Sequence, residues 1–206
     1  MIAIVDYGLG NVQAFLDIYK RLNLPAMAVR EAKDLPSCDQ FILPGVGAFD
    51  WAMHSLEASG MRPVLTDLVV HQRRPLLGVC VGMQMLASRS AEGVLPGLGW
   101  IAGEIRQFAV SDFQRLPHLP HMGWNDVVPE QNHPLFLGIK APQFYFLHSY
   151  YFAPSDPACV IGTTDYGKPF AAAVAHGHIY GTQFHPEKSH DWGMRLLHNF
   201  ATLSAC

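Results

Sequence analysis

Gly78-Val79-Cys80-Val81-Gly82 sets a cysteine between two glycines, where the apolar run 76–79 gives way to a helical pattern. This is the spacing of a nucleophile elbow, with cysteine in the place more often held by serine. The nucleophile of an elbow sits in a strained strand-to-helix turn, and side chains two residues to either side would collide with neighbouring backbone. The start of a helix favours a thiolate and offers backbone N–H groups to an oxyanion. Taken alone, five residues also fit a buried, inert cysteine at a strand end.

A thiolate nucleophile needs a base that later serves as an acid, and the chain holds 11 histidines. His185-Pro186-Glu187 is the best placed of them. On an extended segment, residues two apart face the same side, so Glu187 could hold the His185 ring and fix its tautomer. The plainer reading is a surface His-Pro turn. Pro44-Gly45-Val46-Gly47 closes another apolar run; its two glycines let backbone N–H groups approach an oxyanion and let a peptide turn over, or they simply make a turn. Other patterns carry less. Gly8-Leu9-Gly10 begins like a dinucleotide loop, but Gln13 stands where the third glycine is needed. There is no phosphate-binding P-loop. His176 and His178 flank Gly177 and read as turn residues rather than metal ligands, and His118 and His121 lack an obvious third ligand.

The elements around these residues alternate in type. Ile2–Val5 reads as a strand, Tyr7-Gly8-Leu9-Gly10 as a turn, and Val12, Phe15, Leu16, Tyr19 and Leu22 recur at helical spacing behind a capping Asn11. Strands are expected at Ala26–Val29, 41–43 and 76–79, and helices at 50–59, 63–72 and 82–88. Fully apolar strands separated by helices imply a parallel sheet covered on both faces. The second half reads as strands at 104–108, 124–128, 144–152, 160–164, 171–175 and 179–184, with a hairpin turn at His176-Gly177. A last helix carries Trp192, Leu196, Phe200 and Leu203 on one face. We expect one domain over residues 1–206: an α/β fold with a doubly wound, mostly parallel sheet, helices on both faces, and an antiparallel extension in the second half.

Composition narrows the function classes. A chain of 206 residues buries about 70% of its extended surface, enough for a core without staples. Half of it is apolar and 15% charged, which is not the balance of a disordered chain. Lys+Arg is 14 against Asp+Glu 17, without like-charge runs, which argues against a nucleic-acid or anionic-membrane surface. Cys38, Cys80, Cys159 and Cys206 lie too far apart for a disulfide framework and fit a reducing compartment. The first residues lack a basic region and a cleavage site, and no apolar stretch approaches the ~20 residues needed to span a bilayer. A soluble, cytoplasmic protein is expected.

The motifs resemble those of the class I (triad) glutamine amidotransferase family. The segments that carry this are Asp6-Tyr7-Gly8-Leu9-Gly10-Asn11, Pro44-Gly45-Val46-Gly47-Ala48-Phe49, Gly78-Val79-Cys80-Val81-Gly82-Met83-Gln84 and Gln183-Phe184-His185-Pro186-Glu187-Lys188-Ser189. Pro120-His121-Met122-Gly123-Trp124-Asn125 and Phe144-Tyr145-Phe146-Leu147-His148-Ser149-Tyr150 narrow the resemblance to the glutaminase subunits of imidazole glycerol phosphate synthases, in order and over nearly the whole chain. The resemblance implies a doubly wound fold and cleavage of glutamine to glutamate and ammonia, with no cofactor and no metal. It implies a heterodimer with a (β/α)₈-barrel cyclase subunit, which uses the ammonia to make imidazole glycerol phosphate in histidine biosynthesis. It implies catalysis by Cys80, His185 and Glu187, and a substrate pocket formed by Gln84, Glu92 and backbone at Gly45, Gly47, Ser149 and Tyr150. Oxyanion N–H groups would come from Val46 and Val81, and Asn11, Trp124, Tyr145 and Lys188 would face the partner. Trp124 and Tyr145 could equally be packing residues. Two positions depart from the family pattern. Val81 replaces the usual leucine, where only backbone matters; Ala14 stands where a polar residue is frequent near the ammonia entrance, so no gating role is carried to it. Three alternatives remain open at this level: a paralogue feeding another synthase, as in amidino-sugar modification, a stand-alone cysteine hydrolase such as a γ-glutamyl peptidase, and a non-catalytic binding subunit.

Overall fold

Strands β1 (Ile2–Val5), β3 (Gln40–Gly45) and β4 (Leu76–Cys80) are buried at every position in the computed structural model, which describes residues 1–109, 111, 113 and 119–203. Burial on both faces is what their unbroken apolar sequences require. Between β1 and β2 (Ala26–Val29) runs helix α1 (Val12–Arg21). Its Asn11 cap accepts a hydrogen bond from the Ala14 N–H at 3.2 Å, and Lys20 and Arg21 sit in the last turn, where the helix dipole favours positive charge. Phe15, Ile18 and Tyr19 form its buried stripe. The Tyr19 hydroxyl, fully buried, donates to the Leu197 carbonyl and ties α1 to the last helix, α5 (His190–Thr202).

Among the described residues the main sheet has eight strands, in the order β2-β1-β3-β4-β13-β12-β11-β8. The first five are parallel; β12 (Pro169–His176), β11 (Val160–Asp165) and β8 (Val128–Pro129) extend the sheet antiparallel beyond β13 (Ile179–Thr182). The mixed, mostly parallel sheet agrees with the sequence reading. The β12–β13 hairpin turns at Gly177-His178, with Gly177 in the left-handed region at φ 59°. Two smaller sheets flank the main one: β10 (Tyr150–Pro154) with β6 (Gly103–Gln107) and β5 (Arg89–Ser90), and β7 (His121–Asp126) with β9 (Gln143–His148).

Some expected elements are reshaped. The strand expected over 144–152 breaks at Ser149, and its halves join different sheets. The strand expected over 124–128 starts earlier, at His121, and Val128 belongs to another strand. The helix expected over 82–88 is a single turn, α4 (Val81–Gln84), because N–H groups of Leu98, Gly99 and Ile101 take the carbonyls of Met85, Ala87 and Leu86. Helix α2 (Phe49–Ala58) stands as expected. Helix α3 (Met61–Thr66) starts before Pro63 and widens into a π turn over Asp67–His71.

Adjacent parallel strands end together, and this places the chemistry. Gly45 at the end of β3 lies in register with Cys80 at the end of β4, and Thr182 at the end of β13 with Val79. The three strand exits therefore deliver the 44–47 loop, Cys80 and the segment running to His185 into one crevice, at the carboxyl ends where open α/β sheets bind ligands.

Candidate active site

Cys80 has φ 56° and ψ −114°, a backbone state that costs a non-glycine residue about 1–3 kcal/mol. The neighbouring glycines let β3, β4 and α4 close around it. A Cβ on Gly78 would lie 2.6 Å from the Gly82 carbonyl oxygen, and one on Gly82 would overlap the Leu43 carbonyl. Gly45 likewise packs directly against the backbone of Val81 and Gly82. The elbow is thus a backbone-on-backbone junction with no room for side chains. Tyr7 braces it from below: its buried hydroxyl donates to the Pro44 carbonyl at 2.7 Å, and burial, then the nearby Cys80, push its ionisation up.

His185 Nδ1 lies 2.8 Å from Glu187 Oε1, with the two side chains 4% and 3% exposed. The geometry differs from the extended segment expected. His185 precedes a 3₁₀ turn, Pro186–Lys188, which folds Glu187 back onto the ring. Ser189, fully buried, holds this turn: its hydroxyl donates to the His185 carbonyl at 2.6 Å and accepts from the Tyr145 N–H at 3.0 Å. The His185 N–H donates to the Tyr145 carbonyl at 2.8 Å. Phe184 anchors the approach, stacked on Phe144 at 3.9 Å. Burial alone would lower the His185 ring; hydrogen bonds to Cys80 and Glu187 and the charges of both outweigh it, raising the ring to about 10. The ring nitrogen facing Glu187 is committed to it, and Cys80 on the cavity side helps hold the ring's proton: the nucleophile–base–orienter order of a cysteine triad.

Above the triad lies a cavity of about 270 Å³, lined by Val46, Gly47, Cys80, Val81, Gln84, Glu92, Pro120, Leu147, His148, Ser149, Tyr150, His185 and Lys188. Most of the residues singled out in the sequence meet here. Gly45 does not line the cavity; it is buried beneath the elbow. Gln84 lines it, but both its amide hydrogens are spent within the chain, on the Tyr150 carbonyl and on Gln183 Oε1, each at 3.1 Å. Only its carbonyl oxygen is left for a ligand. Glu92 uses Oε2 to accept from the Phe49 N–H at 2.9 Å, at the start of α2. Asn11 caps α1 and Trp124 stands on the surface, 45% exposed and stacked on His190 at 5.2 Å. Lys188 lies over the Tyr145 ring at 5.8 Å, between that surface and the cavity.

The family model "Glutamine amidotransferase class-I" matches residues 3–203. The chain belongs to the class I glutamine amidotransferase family. A relative from Bdellovibrio bacteriovorus, named imidazole glycerol phosphate synthase subunit HisH, is 52% identical over 98% of this chain and 100% of its own length. A protein of the same name from Leptospira interrogans is 49% identical over 98% and 100%. A crystal structure of a glutamine amidotransferase superposes with a TM-score of 0.76 at 20% identity, over 98% of this chain and 99% of that one. This amidotransferase is therefore a glutaminase-class enzyme with the fold its sequence implies.

Several residues of the amidotransferase site escape a reading of sequence. Gln183 reaches toward the nucleophile, its amide nitrogen 3.9 Å from Cys80 Sγ, and links it to Gln84. Its position two residues before His185, on the same side of the segment, was the available signal. Ser189 gave no signal, since the Tyr145 N–H that it accepts from lies on β9. His121 and His148, considered only as metal ligands or motif letters, bond to each other. His178 bonds the Val69 carbonyl, and His176 faces Cys159. His118 and Cys206 lie outside the described residues. Among the described residues no cluster of three potential ligands could hold a metal ion, and no helix is long and apolar enough to cross a membrane.

Proposed function

We propose that Cys80, His185 and Glu187 hydrolyse the side-chain amide of glutamine, and that the chain, a single amidotransferase domain over 1–206, passes the ammonia to a (β/α)₈-barrel cyclase subunit. The pair would be the imidazole glycerol phosphate synthase heterodimer of histidine biosynthesis. The observation that carries this reading is the buried Cys80–His185–Glu187 array, whose Cys80 and His185 line a cavity near the small end of the ligand-pocket range.

The Cys80 thiolate attacks the amide carbon, and charge develops on the amide oxygen. Backbone N–H groups at Val81, first in α4, and at Val46 receive it; one such donor is worth about 3 kcal/mol. His185 enters this step protonated, supported by Cys80 and Glu187. Once the Cys80 sulfur is bonded to the amide carbon its charge is gone, and burial then favours the neutral ring. His185 hands its proton to the departing ammonia at that moment, and the neutral ring activates the water that releases glutamate. The carbonyl of Gln84, the carboxylate of Glu92 and the backbone of Ser149, Tyr150 and Gly47 hold the glutamine head group. Gly45 serves indirectly, by letting the elbow pack.

Ammonia released into water is protonated and loses its nucleophilic lone pair, so a sealed route to an acceptor enzyme makes chemical sense. The exposed Trp124, with Tyr145, Lys188 and Asn11, supplies the face for that partner. Gly47, at φ 86° in the exposed end of the 44–47 loop, lets the loop occupy more than one state. Ligand in the cyclase shifts that loop only by favouring one state of the complex. Glutamate release should be slow for the chain alone and rise at least ~100-fold with cyclase and its nucleotide ligand, the scale of one oxyanion donor. A chain that already turns over at full rate alone would defeat the coupled reading and favour a stand-alone hydrolase.

A further inference from the structure

A line of hydrogen bonds enters the cavity wall from the sheet behind it. Asn125 Nδ2 donates to the Asp165 carbonyl at 2.8 Å and lies 3.3 Å from His121 Nε2. His121 Nδ1 lies 3.0 Å from His148 Nε2, and His148 Nδ1 lies 2.8 Å from the Tyr150 carbonyl. That same carbonyl receives the Gln84 amide, which leads through Gln183 to Cys80.

The direction of this line is fixed by its two ends. A carbonyl only accepts, so His148 Nδ1 carries the hydrogen. At the far end the Asn125 amide cannot turn over: the Asp126 N–H donates to its Oδ1 at 2.9 Å, and its Nδ2 faces the Asp165 carbonyl. Asn125 therefore presents an N–H to His121 Nε2, which must accept. His121 Nδ1 then carries the hydrogen and donates to His148 Nε2. Both rings are neutral Nδ1–H tautomers, and a further proton on either would set two donors face to face. The surroundings agree: burial pushes His121 down to about 4 and, with nearby His121 and His185, His148 to about 3.

We propose that Asn125, His121 and His148 are positioning residues for glutamine binding, a one-way relay that holds the Tyr150 carbonyl and through it Gln84. The inference rests on the proposal that this cavity binds glutamine. It also explains how His148 can line the cavity beside His185 without competing as an acid or base.

His121 permits a test that separates positioning from packing, because its ring also stacks on Tyr166 at 4.0 Å and on Phe146 at 4.7 Å. His121→Phe keeps the stack and loses the donor. His121→Asn loses the stack and keeps an N–H near the place of Nδ1. With the complete two-subunit enzyme, His121→Phe should raise the KM for glutamine about five- to tenfold, the scale of one buried hydrogen bond, with kcat changed less than about twofold. His121→Asn should hold KM within about twofold of wild type while melting at lower temperature than His121→Phe. A KM that follows stability instead, worse in Asn than in Phe, would overturn the relay. If either variant fails to fold, ¹⁵N-histidine NMR of the wild-type chain decides: both rings should be neutral Nδ1–H tautomers at about pH 6, and an Nε2–H tautomer or a charged ring at either position refutes the assignment. A wild-type enzyme that releases no glutamate from glutamine, yet shows both tautomers, would overturn the glutamine reading and with it the role given to the relay.

Discussion

Replacing Glu187 by glutamine removes one charge while keeping the shape of the side chain, and the structure sets the size of the effect. Glu187 Oε1 accepts from His185 Nδ1 at 2.8 Å inside a nearly closed site, and Oε2 is buried without a partner among the described residues. In the variant, one orientation of the amide keeps an oxygen on His185 but buries an unpartnered NH₂ where Oε2 was. The other aims NH₂ at Nδ1 and forces the wrong ring tautomer. Either way a charge-assisted bond worth about 1.5–3 kcal/mol is lost, which corresponds to roughly 10- to 150-fold in rate. Glutamine-dependent synthesis by the two-subunit enzyme should fall by that much, and less than in His185→Ala, while synthesis from added ammonium is unchanged. Stability should change with a definite sign. Folding raises the His185 ring from about 6.5 to about 10, so the folded chain holds the proton more tightly. The stabilisation is complete below about pH 6.5 and is lost as the pH rises through about 10. Urea denaturation should therefore show the variant most destabilised at about pH 6 and nearly level with wild type at about pH 10. A loss of activity equal to that of His185→Ala, or a stability gap that widens with pH, would refute the orienting role.

Cys80→Ser should abolish glutamine-dependent synthesis and spare ammonium-dependent synthesis; substantial glutamine turnover in the serine variant would exclude Cys80 as nucleophile. The His185 ring, followed by ¹⁵N NMR, should stay charged to higher pH in wild type than in Cys80→Ala, because Cys80 helps hold its proton; identical titrations would contradict the pairing. Gly82→Ala puts a methyl group into the Leu43 carbonyl and should cost about 1–3 kcal/mol or more in chemical denaturation, whereas a neutral outcome would mean that β3 and α4 separate freely.

The parts of the site that lie on short contiguous motifs are legible in the sequence alone. Cys80 and its glycines announce themselves because an elbow constrains residues two apart, and His185 and Glu187 because they are also two apart, although a 3₁₀ turn rather than a strand joins them. The parallel half of the sheet was legible from strands apolar at every position. What sequence could not yield were pairings set by the third dimension. Ser149 divides an unbroken apolar and aromatic run, and nothing local marks the point where β9 and β10 go to different sheets. The short α4 follows from a loop more than ten residues away that captures its next carbonyls. Gln84 reads as a ligand-binding amide, yet both its hydrogens are consumed by Tyr150 and Gln183, residues that only the fold brings near.

The most direct test of the central claim is covalent capture by a diazoketone analogue of glutamine, a reagent that alkylates the nucleophile only when seated as substrate. Mass spectrometry of the treated two-subunit enzyme should find one adduct on this chain, on Cys80, its formation slowed by glutamine and prevented in Cys80→Ser. An adduct on Cys38 or Cys159, or labelling of Cys80 that glutamine does not slow, would contradict the claim that this cavity binds glutamine with its amide against Cys80.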